Sequence, residues 1–134
     1  MPDFRYYPPV DSIPATLGGF VQEIRVEDRR QLLAFARWHA PTGEQGVVQL
    51  LELTVVPERR RQGFGGSLLR ESIRQAASYH RAAAIPFRRF WVSVEQKSQV
   101  VARAFLTQHG FHHVATIANL VAKQDALIYV KSMD

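Results

Sequence analysis

Cysteine is missing from this 134-residue chain, which excludes disulfides, thiolate catalysis and cysteine-ligated zinc. Nowhere does the chain reach the ~18 consecutive apolar residues that a transmembrane helix needs. The opening segment, Met1 to Tyr7, lacks the basic-then-apolar order of a secretory signal, so a cytoplasmic protein is expected. Internal repeats and low-complexity stretches are absent too. Acid is the scarcer charge: 12 Asp and Glu against 17 Lys and Arg leave a formal net charge of +5 and a pI near 10.1. Such a balance favours anionic partners, either a nucleic acid or a phosphorylated cofactor. No recognition-helix or RNA-stacking motif accompanies it, so a basic nucleic-acid-binding module is the less favoured reading. His112 and His113 are adjacent, face opposite ways on a strand and cannot readily share a metal; no metal site is expected.

What is present is the composition of a globular domain: 46% hydrophobic and 22% charged residues, enough to bury a core and too apolar for disorder. One domain over residues 1–134 is expected, with an irregular N-terminal segment at 1–18 where Pro2, Pro8, Pro9, Pro14 and Gly18 concentrate. Within it, Phe4 to Tyr7 reads as a short strand. Phe20, Ile24 and Val26 mark a strand, Glu27 to Arg30 a polar turn, Gln31 to His39 a second strand, and Pro41 to Gly46 another turn. Val47 to Val56 is the next strand, and the three form an antiparallel meander. Both alternating faces of Val47–Val56 are largely apolar, which predicts a central strand covered on both sides. Leu68, Leu69, Ile73, Ala76, Ala77 and His80 recur at helical spacing. Phe90 to Val94 then alternates like a strand, implying a parallel crossover. A second helix is predicted over 98–109, ending at Gly110 in a left-handed cap. Two strands close the chain, near 112–121 and 125–132, separated by Lys123-Gln124-Asp125. The expected fold is α/β in the α+β sense: a mixed, mostly antiparallel twisted sheet of about six to seven strands with helices packed on it.

The chemistry concentrates between the Val47–Val56 strand and the first helix. Gly63, Gly65 and Gly66 stand where the chain leaves one element and enters the other. Glycine there allows positive φ and close approach of a ligand to the backbone. The unpaired N–H groups of the first helical turn, with the helix dipole, make a site suited to a pyrophosphate. A Walker A loop requires a lysine that this segment lacks, and a dinucleotide fingerprint fails at Leu68 and lacks an acidic residue near 80–88.

Val55, Pro57, Arg60, Gly63 and Gly65, followed by Leu68 and Leu69, instead resemble the phosphate loop of the GNAT acetyltransferase superfamily, Val-x-Pro-x-x-Arg-x-x-Gly-x-Gly. Downstream, Gln99, Ala102, Phe105, Gly110 and Phe111 keep the spacing of the family's last-helix pattern, and Asp125 to Tyr129 look like its final strand. The resemblance covers roughly residues 19–132. It implies acetyl-CoA as acyl donor and an amine as acceptor, with direct transfer between them. It implies cofactor contacts from Val55, Val56, Arg60, Arg61, Gln62, Gly63, Phe64, Gly65, Gly66, Ser67, Gln99 and Phe105. In the family the strand ending at Val55 and Val56 is splayed by a bulge, its free edge pairs with the pantetheine arm, and an N–H near Val55 polarises the thioester carbonyl. A side chain at Gly65 is expected to stand in the phosphate's place.

Three departures from the pattern bear on catalysis. Leu106 replaces the tyrosine that commonly protonates the leaving thiolate, and Gln99 stands where asparagine is usual. Only about ten residues, Pro8 to Gly18, occupy the place of the family's N-terminal helices, which are therefore shortened or missing. Their loss is expected to bare apolar surface and favour a homodimer. Glu52, mid-strand beside the cleft, is the candidate base, its basicity raised by burial. The other reading of Glu52, an ion pair with Arg37 on the neighbouring strand, stays open. Tyr79 and Tyr129 are potential substitute acids but read more readily as core or rim; Ser67 reads as a helix-start residue on the phosphate. A degenerate member that binds acyl-CoA without efficient transfer is the second functional reading.

Overall fold

The structure, a computed structural model, describes residues 2–9, 19–41, 45–95, 99–121 and 124–133. Seven strands lie in one sheet in the order β1-β2-β3-β4-β5-β7-β6. They are β1 (Asp3–Tyr7), β2 (Phe20–Asp28), β3 (Gln31–Ala40), β4 (Val47–Val55), β5 (Arg89–Glu95), β6 (His112–Val121) and β7 (Gln124–Ser132), with helices α1 (Phe64–Ala83) and α2 (Gln99–Gln108). Every neighbouring pair is antiparallel except β4 and β5, and the crossover between those two runs through α1 as the spacing predicts. This is the mixed GNAT-like sheet that the sequence foretells. Among the described residues no helix lies between β1 and β2; residues 10–18 fall outside the description.

Even-numbered residues of β2 and β3 form the covered face. Phe20, Ile24, Val26, Ala34, Ala36, Trp38 and Ala40 are buried beneath α1, which contributes Leu68, Leu69, Ala76 and Tyr79. Tyr79 stacks on Phe20 at 5.1 Å and meets Trp38 edge-on at 5.8 Å. This aromatic knot locks the helix to the sheet through apolar area and ring geometry.

Several local features depart from the sequence reading. The β2–β3 turn is tighter than expected: β2 runs on to Asp28, and Arg29 and Arg30 alone make the connection, both at positive φ (52° and 66°). That is a two-residue hairpin geometry usually built from Asn and Gly. Likewise β7 begins at Gln124, so Gln124 and Asp125 belong to the strand rather than to the turn. Helix α1 ends on Ala84 in the left-handed region (φ 58°), with the Ile85 N–H donating to the His80 carbonyl at 2.9 Å. Gly110 closes α2 at φ 86° as predicted.

The largest correction concerns β4, which is not covered on both sides. Leu51 is 47% exposed, and Glu52 and Thr54 are exposed. Two events open it. Pairing with β5 extends only from Val47 to Gln49. On the other edge, Trp38 lies opposite Leu50 while Arg37 lies opposite Glu52, so Leu51 is an extra residue, a bulge. A bulge kinks its strand and reverses the parity of everything after it. Val48 and Leu50 face α1, but so do Leu53 and Val55, opposite Ala36 and Ala34; Glu52 and Thr54 turn to the other face.

Candidate active site

Beyond Gln49 the strands β4 and β5 part, and a cleft of about 280 Å³ opens between them. Leu51, Glu52, Leu53, Val92, Ser93, Val94 and Glu95 form its strand walls, and α2 closes one end with Ala102, Phe105 and Leu106. The resemblance places the strand-splaying bulge; the structure locates it at Leu51, four residues before Val55. The Val56 N–H donates to the Leu33 carbonyl at 2.9 Å. Successive residues of an antiparallel ladder send their N–H groups to alternate sides, so those of Leu53 and Val55 point into the cleft. Val56 is thus tied to β3 by its amide, and Leu53, which the motif does not include, takes a place on the free edge. Counting two residues back from Val55 along the strand would have found it.

After Val55 the chain makes a single 3-10 turn, Pro57–Arg59, and returns over Arg60 to Gly63. Arg60 Nε donates to the Val55 carbonyl at 3.3 Å, and Gln62 Nε2 donates to the Glu58 carbonyl at 3.4 Å; these bonds fold the loop back on the strand end. Arg61 adopts positive φ (64°) and is exposed. Gly63 caps α1 in the left-handed region, φ 83°, where a Cβ would be strained. Its carbonyl accepts from the Ser67 N–H at 3.0 Å, and no side chain caps the helix. The N–H groups of Phe64, Gly65 and Gly66 therefore lack intrahelical partners and face the end of the cleft as a ready anion site.

At Gly65 the chain passes close to α2. A Cβ there would lie 3.5 Å from Phe105 Cε1 and 3.8 Å from Val55 Cγ2. A larger side chain would thus drive into the α1–α2 contact. Phe105 packs as part of the core's margin and lines the cleft as well, while Phe64 packs only at that margin. Ser67 Oγ accepts a long bond from Arg70 Nη2, 3.4 Å. Gln99 opens α2, and its side chain lies outside the described residues.

Glu52 is in the cleft wall, but the burial expected to raise its basicity is missing: its side chain is 43% exposed. The ion pair is present instead, Arg37 Nη2 to Glu52 Oε1 at 3.0 Å. Arg37 Nε also stands 3.3 Å from Glu23 Oε1, a charge contact without hydrogen-bond alignment. Arg25 Nε in turn donates to Glu23 Oε2 at 2.6 Å. These four residues form a ladder of alternating charge across β2, β3 and β4, on the sheet face away from α1. The bared face is therefore mixed rather than apolar, with Val21 (44% exposed) and Tyr7 (45%) beside the charges.

Neither substitute tyrosine reaches the cleft. Tyr79 is in the aromatic knot, where burial raises its pKa, and Tyr129 is 1% exposed beneath β6. Leu106 is buried at the cleft end. Among the described residues lining the cleft, Ser93 carries the one hydroxyl. His112 and His113 are exposed on β6.

This combination of splayed strand, glycine-capped helix and mixed sheet defines the class. The chain belongs to the acetyltransferase (GNAT) family, whose model matches residues 3–111. Similar solved structures include the IAA acetyltransferase from Bacillus cereus, 12% identical at a TM-score of 0.76 over 99% of this chain and 100% of that one. The ribosomal-protein-S18-alanine N-acetyltransferase from Escherichia coli is 21% identical at 0.68, over 84% and 68%. An N-acetyltransferase from Staphylococcus aureus is 16% identical at 0.66, over 85% and 68%. No curated protein matches the sequence. Among the described residues no helix is long and apolar enough to cross a membrane.

Proposed function

We propose that this protein is an acetyl-CoA-dependent N-acetyltransferase that moves an acetyl group directly to an amine. The observation that carries the reading is the meeting, at one end of the sheet, of an opened β4 edge and an uncapped helix N-terminus. Acetyl-CoA fits these residues: the N–H groups of Phe64, Gly65 and Gly66 suit its pyrophosphate, with Arg60, Arg61, Gln62 and Ser67 around them. The apolar cleft and the N–H groups of Leu53 and Val55 suit its amide-bearing arm, with Gln99 and Phe105 at the α2 side. The bound thioester supplies an activated acetyl carbon.

The chain's own residues then align and deprotonate. The cleft holds donor and acceptor together, which supplies much of the rate of a two-substrate reaction. A free N–H of the opened β4 edge near Val55 polarises the acetyl carbonyl. Glu52 receives the acceptor's proton, directly or through one water, while Arg37 holds its Oε1. Leu106 donates no proton, so the thiolate departs with water's help. That same substitution favours the second reading, a domain that binds acyl-CoA without efficient transfer. A homodimer across the open sheet face and a cytoplasmic setting complete the proposal.

A thiol-release assay over an amine panel decides between the two readings; the panel includes a peptide with N-terminal alanine and small polyamines. Release with one acceptor class supports the enzyme, and binding without release for any acceptor supports the second reading.

A further inference from the structure

Behind the first turn of α1, three basic side chains from three elements converge. A Cβ at Gly66 would lie 3.2 Å from Arg70 Nη1 and 3.3 Å from His109 Nε2. His109, just past α2, packs on Phe105 at 4.8 Å between ring centroids. Next to it, a Cβ at Gly110 would lie 3.6 Å from Lys131 Nζ of β7. Lys131 faces the helix side of the sheet, opposite Phe90. Among the described residues none of the three has a carboxylate partner; the one polar contact is Arg70 on Ser67 Oγ. Elsewhere the basic side chains Arg25, Arg37 and Arg74 are matched with acids. Gathering unmatched cations opposes folding unless an anion relieves the repulsion. The surroundings of His109 agree: burial, then Arg70 and Lys131, hold its pKa below the ordinary histidine value.

We propose that Arg70, His109 and Lys131 form a phosphomonoester site that grips the 3′-phosphate of coenzyme A. The inference rests on the acetyl-CoA reading above. Charge selects the group: a phosphomonoester carries nearly two negative charges at neutral pH, matching a cluster of two fixed cations and a titratable third. The pyrophosphate carries one charge on each phosphorus and already has the backbone N–H groups of Phe64 to Gly66. The cluster lies beside that helix turn, so one ligand spans both.

The test compares coenzyme A with 3′-dephospho-coenzyme A by calorimetry, on the full chain and on Arg70→Gln, His109→Gln and Lys131→Gln. Coenzyme A is expected to bind at least about tenfold more tightly than the dephospho form, since charge-assisted hydrogen bonds to one group are worth that much. Each substitution is expected to weaken coenzyme A and leave dephospho-coenzyme A unchanged, with far-UV spectra confirming the fold. Equal affinities for the two ligands in the unmodified protein would overturn the proposal. So would a preference that survives all three substitutions, or variants that weaken both ligands alike, which would place the cluster on the pyrophosphate. Failure of either ligand to bind would overturn the acetyl-CoA reading itself, an outcome distinct from equal binding.

Discussion

The two ends of the β4–β5 pair are built to opposite ends. At the start, Val47 to Gln49 are zipped to Arg89 to Trp91, and the Gly46 carbonyl accepts from the Arg88 N–H at 2.8 Å. Gly46 sits at φ 69°, and a Cβ there would collide with the Pro86 carbonyl oxygen. At the finish the strands diverge around the Leu51 bulge, and Gly63 carries a similar φ with nothing within 4 Å of where its Cβ would stand. The same residue type at the same backbone conformation closes the sheet in one place and leaves room in the other. Strand pairing is thus kept at the closed end and given up at the end where the cleft opens.

Substitutions at the two ends put that contrast at risk. Gly46→Ala is expected to cost about 3 kcal/mol in urea unfolding, from left-handed strain and a backbone clash together. A loss below ~1 kcal/mol would mean that the closed end is not closed. Glu52→Gln, at the open end, is expected to lower turnover on the order of 10²-fold. It should move stability by no more than ~1 kcal/mol, the scale of an exposed ion pair. A lower melting temperature with unchanged turnover would make Glu52 a structural partner of Arg37. Gly63→Ala should cost only about 1 kcal/mol of backbone strain while weakening acetyl-CoA through the displaced first turn. If it proves as costly as Gly46→Ala, the contrast fails.

Two smaller effects concern pH. Glu71 accepts from Arg74 and Tyr6, in contacts that tie β1 to α1. Burial pushes its pKa up, but those hydrogen bonds outweigh it and hold the carboxyl below its ordinary 4.5. A carboxylate depressed by folding stabilises above its unfolded value, and that stability is lost as pH falls through the folded value. Tyr6→Phe should therefore flatten the acid side of the melting curve below about pH 4.5. His109 is depressed as well, by burial and then by Arg70 and Lys131. The folded protein thus prefers it neutral, so its contribution is present above pH 6.5 and declines as pH falls below that value. His109→Gln should remove that dependence, seen as melting temperatures that diverge from the parent between pH 7 and 5; parallel curves would discount the cluster.

Much of this fold is legible in the sequence. The loop from Val55 to Gly66 reads plainly because backbone demands, a left-handed cap and free N–H groups, restrict residue type at fixed spacing. The seven strands and two helices follow from periodicity. What stayed hidden depends on partners distant in sequence. The Leu51 bulge is a mismatch of register between β3 and β4, so it turned Glu52 to the open face without leaving a local mark. Arg29-Arg30 and Ala84 fill positive-φ positions that sequence habits assign to glycine or asparagine, because the surrounding hairpin and helix fix the conformation. Arg70, His109 and Lys131 come from α1, the end of α2 and β7, and only packing brings them together.

The central claim is that the open end of β4 and the first turn of α1 form one acetyl-CoA site. Amide NMR with added acetyl-CoA tests it most directly. The N–H resonances of Leu53, Val55, Phe64, Gly65 and Gly66 are expected to shift and to gain exchange protection, while those of Val47 to Gln49 stay in place. Shifts centred elsewhere, or none at saturating acetyl-CoA, would contradict the account.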